Sequence, residues 1–358
     1  MFKYDVIVVG AGHAGCEAAV ACARSGAKTL LATLNLDNIA LMPCNPAIGG
    51  PAKSCLVREV DALGGVMGIA ADATYMQMKM LNSSKGPAVR ALRAQSDKKE
   101  YMRYMRNILE SESNLFLKQC CVTELIVNNN EVKGFYDEYR QEYNAPCIIL
   151  TTGTSLEAKV WVGLQSLEYG RLGEISAKGL SPSLKKLGFT IGRLKTGTPA
   201  RVDGRTVDFD KMTIQNGDEE LSFFSFLPNR PIRKQYPCYL TRTTKETHDI
   251  IRANLDKSPM YTGLIHGRGP RYCPSIEDKV VRFAHNPSHH IFIEPEGKNT
   301  YEMYVGGFST SLPAQVQLQM LKSLPGLENV HVLKPAYAVE YDYMPAVQLM
   351  HSLMTKKN

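Results

Sequence analysis

Tyr4-Asp5-Val6-Ile7-Val8-Val9-Gly10-Ala11-Gly12-His13-Ala14-Gly15-Cys16 decides the fold. Val6–Val9 is a short apolar run rich in β-branched residues, as a strand buried on both faces requires. Three glycines follow at GxGxxG spacing. Cys16–Ser25 then reads as an alanine-rich helix ended by Gly26, and Lys28–Thr33 as a second apolar strand. Strand, glycine turn, helix and strand fall within about 30 residues, the context that gives the glycine pattern its meaning. Gly10 permits the tight turn, Gly12 lets a pyrophosphate approach the backbone, and Gly15 lets helix and strand pack closely. The helix N-terminus supplies N–H donors. The segment Gly10, Ala11, Gly12, His13, Ala14, Gly15 is therefore a dinucleotide-binding turn.

Moving outward, the acidic residue expected after the second strand for a ribose hydroxyl is absent. Ala32-Thr33-Leu34-Asn35 stands there, which weakens NAD at this turn and leaves Thr33 or Asn35 to serve the ribose. A further buried strand, Cys147–Leu150, runs into Thr151-Thr152-Gly153-Thr154. It resembles the small-residue turn by which two-dinucleotide flavoproteins close on their cofactor, and the pair favours FAD. Helical patterns span Pro51–Leu63, Ser96–Glu112 and Gln315–Leu324. Asn128-Asn129-Asn130 reads as a hairpin turn, and His331–Leu333 and Tyr337–Tyr341 as strands. After Pro199 prolines, aromatics and short strand-like runs dominate. The expected architecture is α/β: an FAD-binding Rossmann-like domain of the two-dinucleotide flavoprotein type over residues 1–199, an inserted mixed α/β domain over 200–311, and a return segment over 312–358.

The 358 residues are 44% hydrophobic and 22% charged with a net charge of +7, an ordinary globular composition that permits an anionic partner without establishing one. Nine cysteines without a CxxC argue for reduced thiols and against a disulfide scaffold or zinc ribbon. No apolar run is long enough to span a membrane, so a cytoplasmic protein is expected. No metal site is expected, because His289-His290 lacks ligand spacing. Cys16, Cys22, Cys120, Cys121 and Cys147 read as small buried residues. Cys44 and Cys273 differ. Each sits in an irregular, proline-framed stretch, Met42-Pro43-Cys44-Asn45-Pro46 and Arg271-Tyr272-Cys273-Pro274, where a helix N-terminus or guanidinium can activate a thiol. The basic run Lys85, Arg90, Arg93, Lys98, Lys99, Arg103, Arg106 reads first as a solvated face; Trp161 and Met76–Met80 read as packing.

Several long strings resemble one family. They are Met42–Gly50, Glu59–Gly65, Asn82–Ala91, Gly192–Pro199 and Gly269–Lys279, and they are similar to the MnmG (GidA) tRNA uridine 5-carboxymethylaminomethyl modification enzymes. The resemblance implies an enzyme that uses FAD, NADH and methylenetetrahydrofolate with an MnmE-type GTPase partner, as a homodimer, to build an aminomethyl-type group on C5 of the wobble uridine of tRNA. It implies FAD at Gly10–Gly15 and near Val122. Nicotinamide handling is implied around Gly269, Pro270, Arg271, Tyr272, Pro274, Ser275, Ile276, Glu277, Asp278 and Lys279, and Cys44 and Cys273 as the catalytic thiols. A family serine that contacts FAD falls at Ala177. The resemblance also implies a closing strand, a flavin-covering turn and a helical region beyond Asn358. The chain is thus expected to bind FAD weakly or not at all and to be inactive alone, with apolar surface exposed around Val339–Met354. Two other readings stay open: a generic FAD/NADH oxidoreductase acting on a small molecule, and a nucleotide-binding module without turnover.

Overall fold

Val6–Val9 forms the inner strand of a four-stranded parallel sheet ordered Cys147–Leu150, Val6–Val9, Thr29–Thr33, Leu115–Gln119. The computed structural model describes residues 2–228, 230–267, 269 and 274–357. The α/β reading is met. Ile7 pairs with Leu30 and with Ile148, and the continuous apolar runs split by strand alternation into two cores. Val8 and Leu31 face the helices His13–Arg24 and Lys98–Ser111 with Tyr101 and Met105. Ile7, Leu30 and Ala32 face Phe135 and Leu180. The hairpin Val122–Asn128 and Glu131–Asp137 covers that second face, and Asn129 and Asn130 adopt the positive φ values, 50° and 62°, that its turn demands.

Pro199 ends a strand, Gly192–Thr198, that pairs antiparallel with Tyr337–Tyr343 and so ties the return segment to the first unit. Beyond it lies a six-stranded antiparallel sheet running Thr213–Gln215, Cys238–Arg242, His290–Pro295, Glu302–Gly306, Arg201–Asp203, Val332–Lys334. Its core does not stop at Ser311. Val316, Met320 and Leu321 of the helix Ala314–Lys322 pack with Val202, Ile293 and Val305, because that helix needs an apolar partner and the sheet face supplies it. Residues 312–336, expected in the return segment, thus join the second core.

Part of the expected insertion lies on the first unit: Phe224 is fully buried in the core containing Tyr75 and Met78. The Asp72 carboxylate accepts from the N–H groups of Phe224 and Ser225, and Arg58 donates to the Phe223 carbonyl. The expected exposed stretch also divides. Val339 is buried within its strand, whereas Val347, Met350, Leu353 and Met354 are exposed. Among the described residues no helix is long and apolar enough to cross a membrane.

Candidate active site

The glycine turn carries the geometry its sequence implies. Gly10 has φ +102°, and a Cβ there would lie 2.4 Å from the Thr151 carbonyl oxygen. A Cβ on Gly15 would fall 1.7 Å from the Gly10 carbonyl oxygen. At Gly12 a Cβ would meet nothing within 4 Å, and no side chain caps the helix that begins there. A crowded floor with one open position over uncapped N–H groups is a cradle that fits a diphosphate. Gly12 and Ala14 are exposed, Ala11 is buried, and His13 is half-buried with its Nε2 enclosed and unpartnered. Burial pushes the His13 imidazole down to about 4, so it is neutral and packs against Tyr101.

At the ribose end, the Asn35 side chain accepts from the Asp37 N–H and is spent on a local cap. Thr33 is half-buried at the end of its strand and is the better placed of the two for a ribose. Val122 is buried beside it, where Cys120 N–H donates to the Thr33 carbonyl. Ala177 is buried, and its N–H donates to the Ser155 carbonyl; it has no hydroxyl to offer.

From Thr33 the chain passes Ile39 and Ala40, buried in the first core, with Ala40 N–H donating to the Ala11 carbonyl. That bond fixes the loop carrying Cys44 to the dinucleotide turn. The loop enters a short strand, Ala47–Gly49, and a helix begins only at Ser54, so Cys44 is not at a helix N-terminus. What surrounds it comes from both units. The Cys44 Sγ lies 3.0 Å from the Tyr304 hydroxyl and 3.7 Å from the Gly197 carbonyl oxygen. Its own carbonyl accepts from Lys98 Nζ at 2.9 Å and Arg201 Nη2 at 3.0 Å. Both cations pair with Glu296, at 2.8 Å and 3.0 Å. Burial brings the Lys98 amine down to about 8 despite the attraction of Glu296.

Lys98 therefore leaves the basic run expected on a solvated face. It is 6% exposed, its amine drawn to Glu296 and the Cys44 carbonyl, and with the exposed Lys99 and Arg103 it lines a cavity of about 840 Å³. Arg93 likewise pairs with buried Glu294, while Lys85 and Arg90 are exposed. Tyr304, Arg201 and Glu296 are the partners the sequence did not reveal; each stands in an ordinary strand or turn with no local pattern to mark it.

The other cysteines divide. Cys16 and Cys120 are buried, and burial pushes both thiols up to about 12. Cys22 and Cys121 are only half-buried, and Cys147 is exposed because it opens the outermost strand of the parallel sheet. Pro270, Arg271, Tyr272 and Cys273 lie outside the described residues. Of their neighbours, Gly269 and Pro274 are exposed. Ser275 and Asp278 cap each other at the start of the helix Ile276–Arg282. Ile276 is in the second core, buried Glu277 accepts from the Thr310 hydroxyl, and Lys279 donates to the Gly307 carbonyl. Among the described residues no group of three His, Cys, Asp or Glu side chains is placed to hold a metal.

Residues 5–358 match the family model described as glucose inhibited division protein A. The chain belongs to that family. It is 58% identical over 357 residues to the tRNA uridine 5-carboxymethylaminomethyl modification enzyme MnmG of Synechocystis, and 56% identical over 351 residues to that of Heliobacterium modesticaldum. These alignments cover 99% and 98% of this chain but 56% and 55% of the relatives. The chain thus spans a little over half the length of the relatives it matches. The crystal form I structure of Aquifex aeolicus GidA superposes with a TM-score of 0.94 at 49% identity, covering 99% of this chain and 60% of that one.

Proposed function

We propose that this chain is the dinucleotide-binding and thiol-bearing part of a cytoplasmic, homodimeric tRNA-modifying flavoenzyme. It would act with an MnmE-type GTPase partner to add a (carboxymethyl)aminomethyl group to C5 of the wobble uridine, using methylenetetrahydrofolate and NADH. The observation that carries the reading is the placement of Cys44. One hydrogen bond ties its loop to the glycine turn, and its sulfur meets Gly197 of the first unit and Tyr304 of the second. Residues Gly10–Gly15, Thr33 and Val122 would hold FAD, which when bound supplies hydride chemistry.

The thiols do the rest. Uracil C5 is a poor nucleophile until a thiolate adds at C6. The sulfur lone pair forms the S–C6 bond, and the C5=C6 electron pair moves toward the C4 oxygen, making C5 enolate-like. C5 then attacks a one-carbon electrophile, whose π electron pair passes to its heteroatom as the C–C bond forms. A base removes the C5 proton, and the returning electron pair breaks S–C6 and restores the thiolate. Cys44 and Cys273 share the two roles of nucleophile and proton carrier. Gly269 and Pro274–Lys279, the sequence neighbours of Cys273, would serve the nicotinamide.

Introduced into the chromosomal gene, Cys44→Ser and Cys273→Ser should each remove the modified uridine from bulk tRNA, read by mass spectrometry of nucleoside digests. Cys55→Ser, at an exposed thiol, should leave it unchanged. Wild-type levels in both single mutants would place the nucleophile elsewhere.

A further inference from the structure

Among the groups around Cys44 that the scheme above leaves without a role, Tyr304 touches the sulfur itself. Tyr304 is 5% exposed, yet its hydroxyl sits 3.0 Å from the Cys44 sulfur. Burial, and after it the charge of Cys44, holds the phenol well above its ordinary range, so it keeps its proton at neutral pH. A buried O–H must point at an acceptor, and among the described residues the Cys44 sulfur is the partner it meets. The thiol has its own acceptor in the Gly197 carbonyl at 3.7 Å. The sulfur can therefore donate to Gly197 as a thiol and still receive the Tyr304 hydrogen bond as a thiolate, without a rotamer change.

We propose that Tyr304 is a catalytic partner of Cys44, donating a hydrogen bond that stabilises its thiolate and fixes the direction in which the sulfur attacks or moves a proton. This rests on the reading of Cys44 as one of the reactive thiols. Tyr304 transfers no proton; the thiol proton leaves to water and the phenol keeps its own. The charged groups around the pair are Lys98 and Arg201 on the Cys44 carbonyl, Glu296 between them, and Glu294 paired with Arg93. The Arg201 guanidinium carbon also lies 4.9 Å from the Tyr304 ring centre and the Lys98 nitrogen 5.9 Å, holding the ring in place through its face. Tyr304 is thus held at its ring as well as at its hydroxyl, as a preorganised donor must be.

Alkylation by iodoacetamide, followed peptide by peptide by mass spectrometry from pH 6.5 to 10, tests this without RNA or flavin. In Tyr304→Phe, Cys44 alkylation at pH 7.5 should fall about tenfold or more, the scale of one hydrogen bond to a charged group. The gap between the two proteins should narrow as pH rises. Exposed Cys55 reports reagent reactivity, and buried Cys16, Cys120 and Cys238 report folding by staying unlabelled. An unchanged Cys44 profile, or an equal fall at every pH, overturns the proposal. Should the buried cysteines become labelled, 3-fluorotyrosine incorporation replaces the variant. It sharpens the donor at constant shape and should speed Cys44 alkylation at pH 7.5; no acceleration also overturns the proposal. The function proposed above fails separately, if Cys44→Ser retains modified tRNA while the alkylation result stands.

Discussion

Gly12→Val separates folding from cofactor binding more cleanly than any other change in the chain. The backbone at Gly12 has φ −73° and ψ −175°, extended geometry that any residue adopts, and its Cβ would enter open space. The substitution thus resembles a surface change, within about 0.5 kcal/mol in stability. Gly15→Ala is the contrast. Its Cβ would overlap the Gly10 carbonyl at 1.7 Å and approach the Thr151 hydroxyl at 2.7 Å, so the turn itself must move. For the ligand the ranking reverses. The isopropyl group that Gly12→Val introduces would stand where a diphosphate must touch the helix N-terminus. Overpacking costs about 1–3 kcal/mol and a lost charged hydrogen bond about 1.5–3 kcal/mol. Together these amount to about 2.5–6 kcal/mol, roughly seventyfold or more in affinity. Titrating wild type and Gly12→Val with FAD, and with ADP as the half that reaches this turn, while following flavin fluorescence and thermal unfolding, reads both quantities. A Gly12→Val protein that melts like wild type and binds FAD and ADP equally well would refute the cradle.

Three further outcomes follow from burial. The folded state holds the His13 proton less tightly than the unfolded state, about 4 against 6.5, so unfolding takes up a proton as pH falls through that window. Stability present above pH 6.5 should decline by roughly 3 kcal/mol by pH 4, and urea titrations of His13→Asn should lack that component. Lys98 behaves alike at the alkaline end. With its amine at about 8 instead of 10.5, its contribution to stability should rise by roughly 3 kcal/mol between those values, and Lys98→Gln should flatten the rise in the urea midpoint. Phe224→Ala should cost about 3–5 kcal/mol in urea unfolding, since it empties a fully buried ring site in the first core; a loss below about 1 kcal/mol would mean the segment from Leu221 to Phe226 is not part of that core.

Much of the first unit was legible in order along the chain. Period and glycine spacing are local properties, so Val6–Val9, the turn, the helix and Thr29–Thr33 could be read directly, as could the Asn129-Asn130 turn, whose backbone favours Asn. The strings that resemble one family pointed to it before any geometry, and the family match over residues 5–358 agrees. Cys44 stood out because prolines and an irregular run frame it.

Tertiary structure decided what surrounds Cys44 and where the units end. Tyr304 is 260 residues away from Cys44 and Gly197 is 153, and no local pattern encodes such a contact. Lys98 belongs to a run of charges that reads as a solvated face until Glu296, from a turn 198 residues on, draws it inside. The same reason moves the boundaries. A helix such as Ala314–Lys322 or a strap carrying Phe224 joins whichever apolar surface covers it, and which surface that is depends on how the distant strands have already paired.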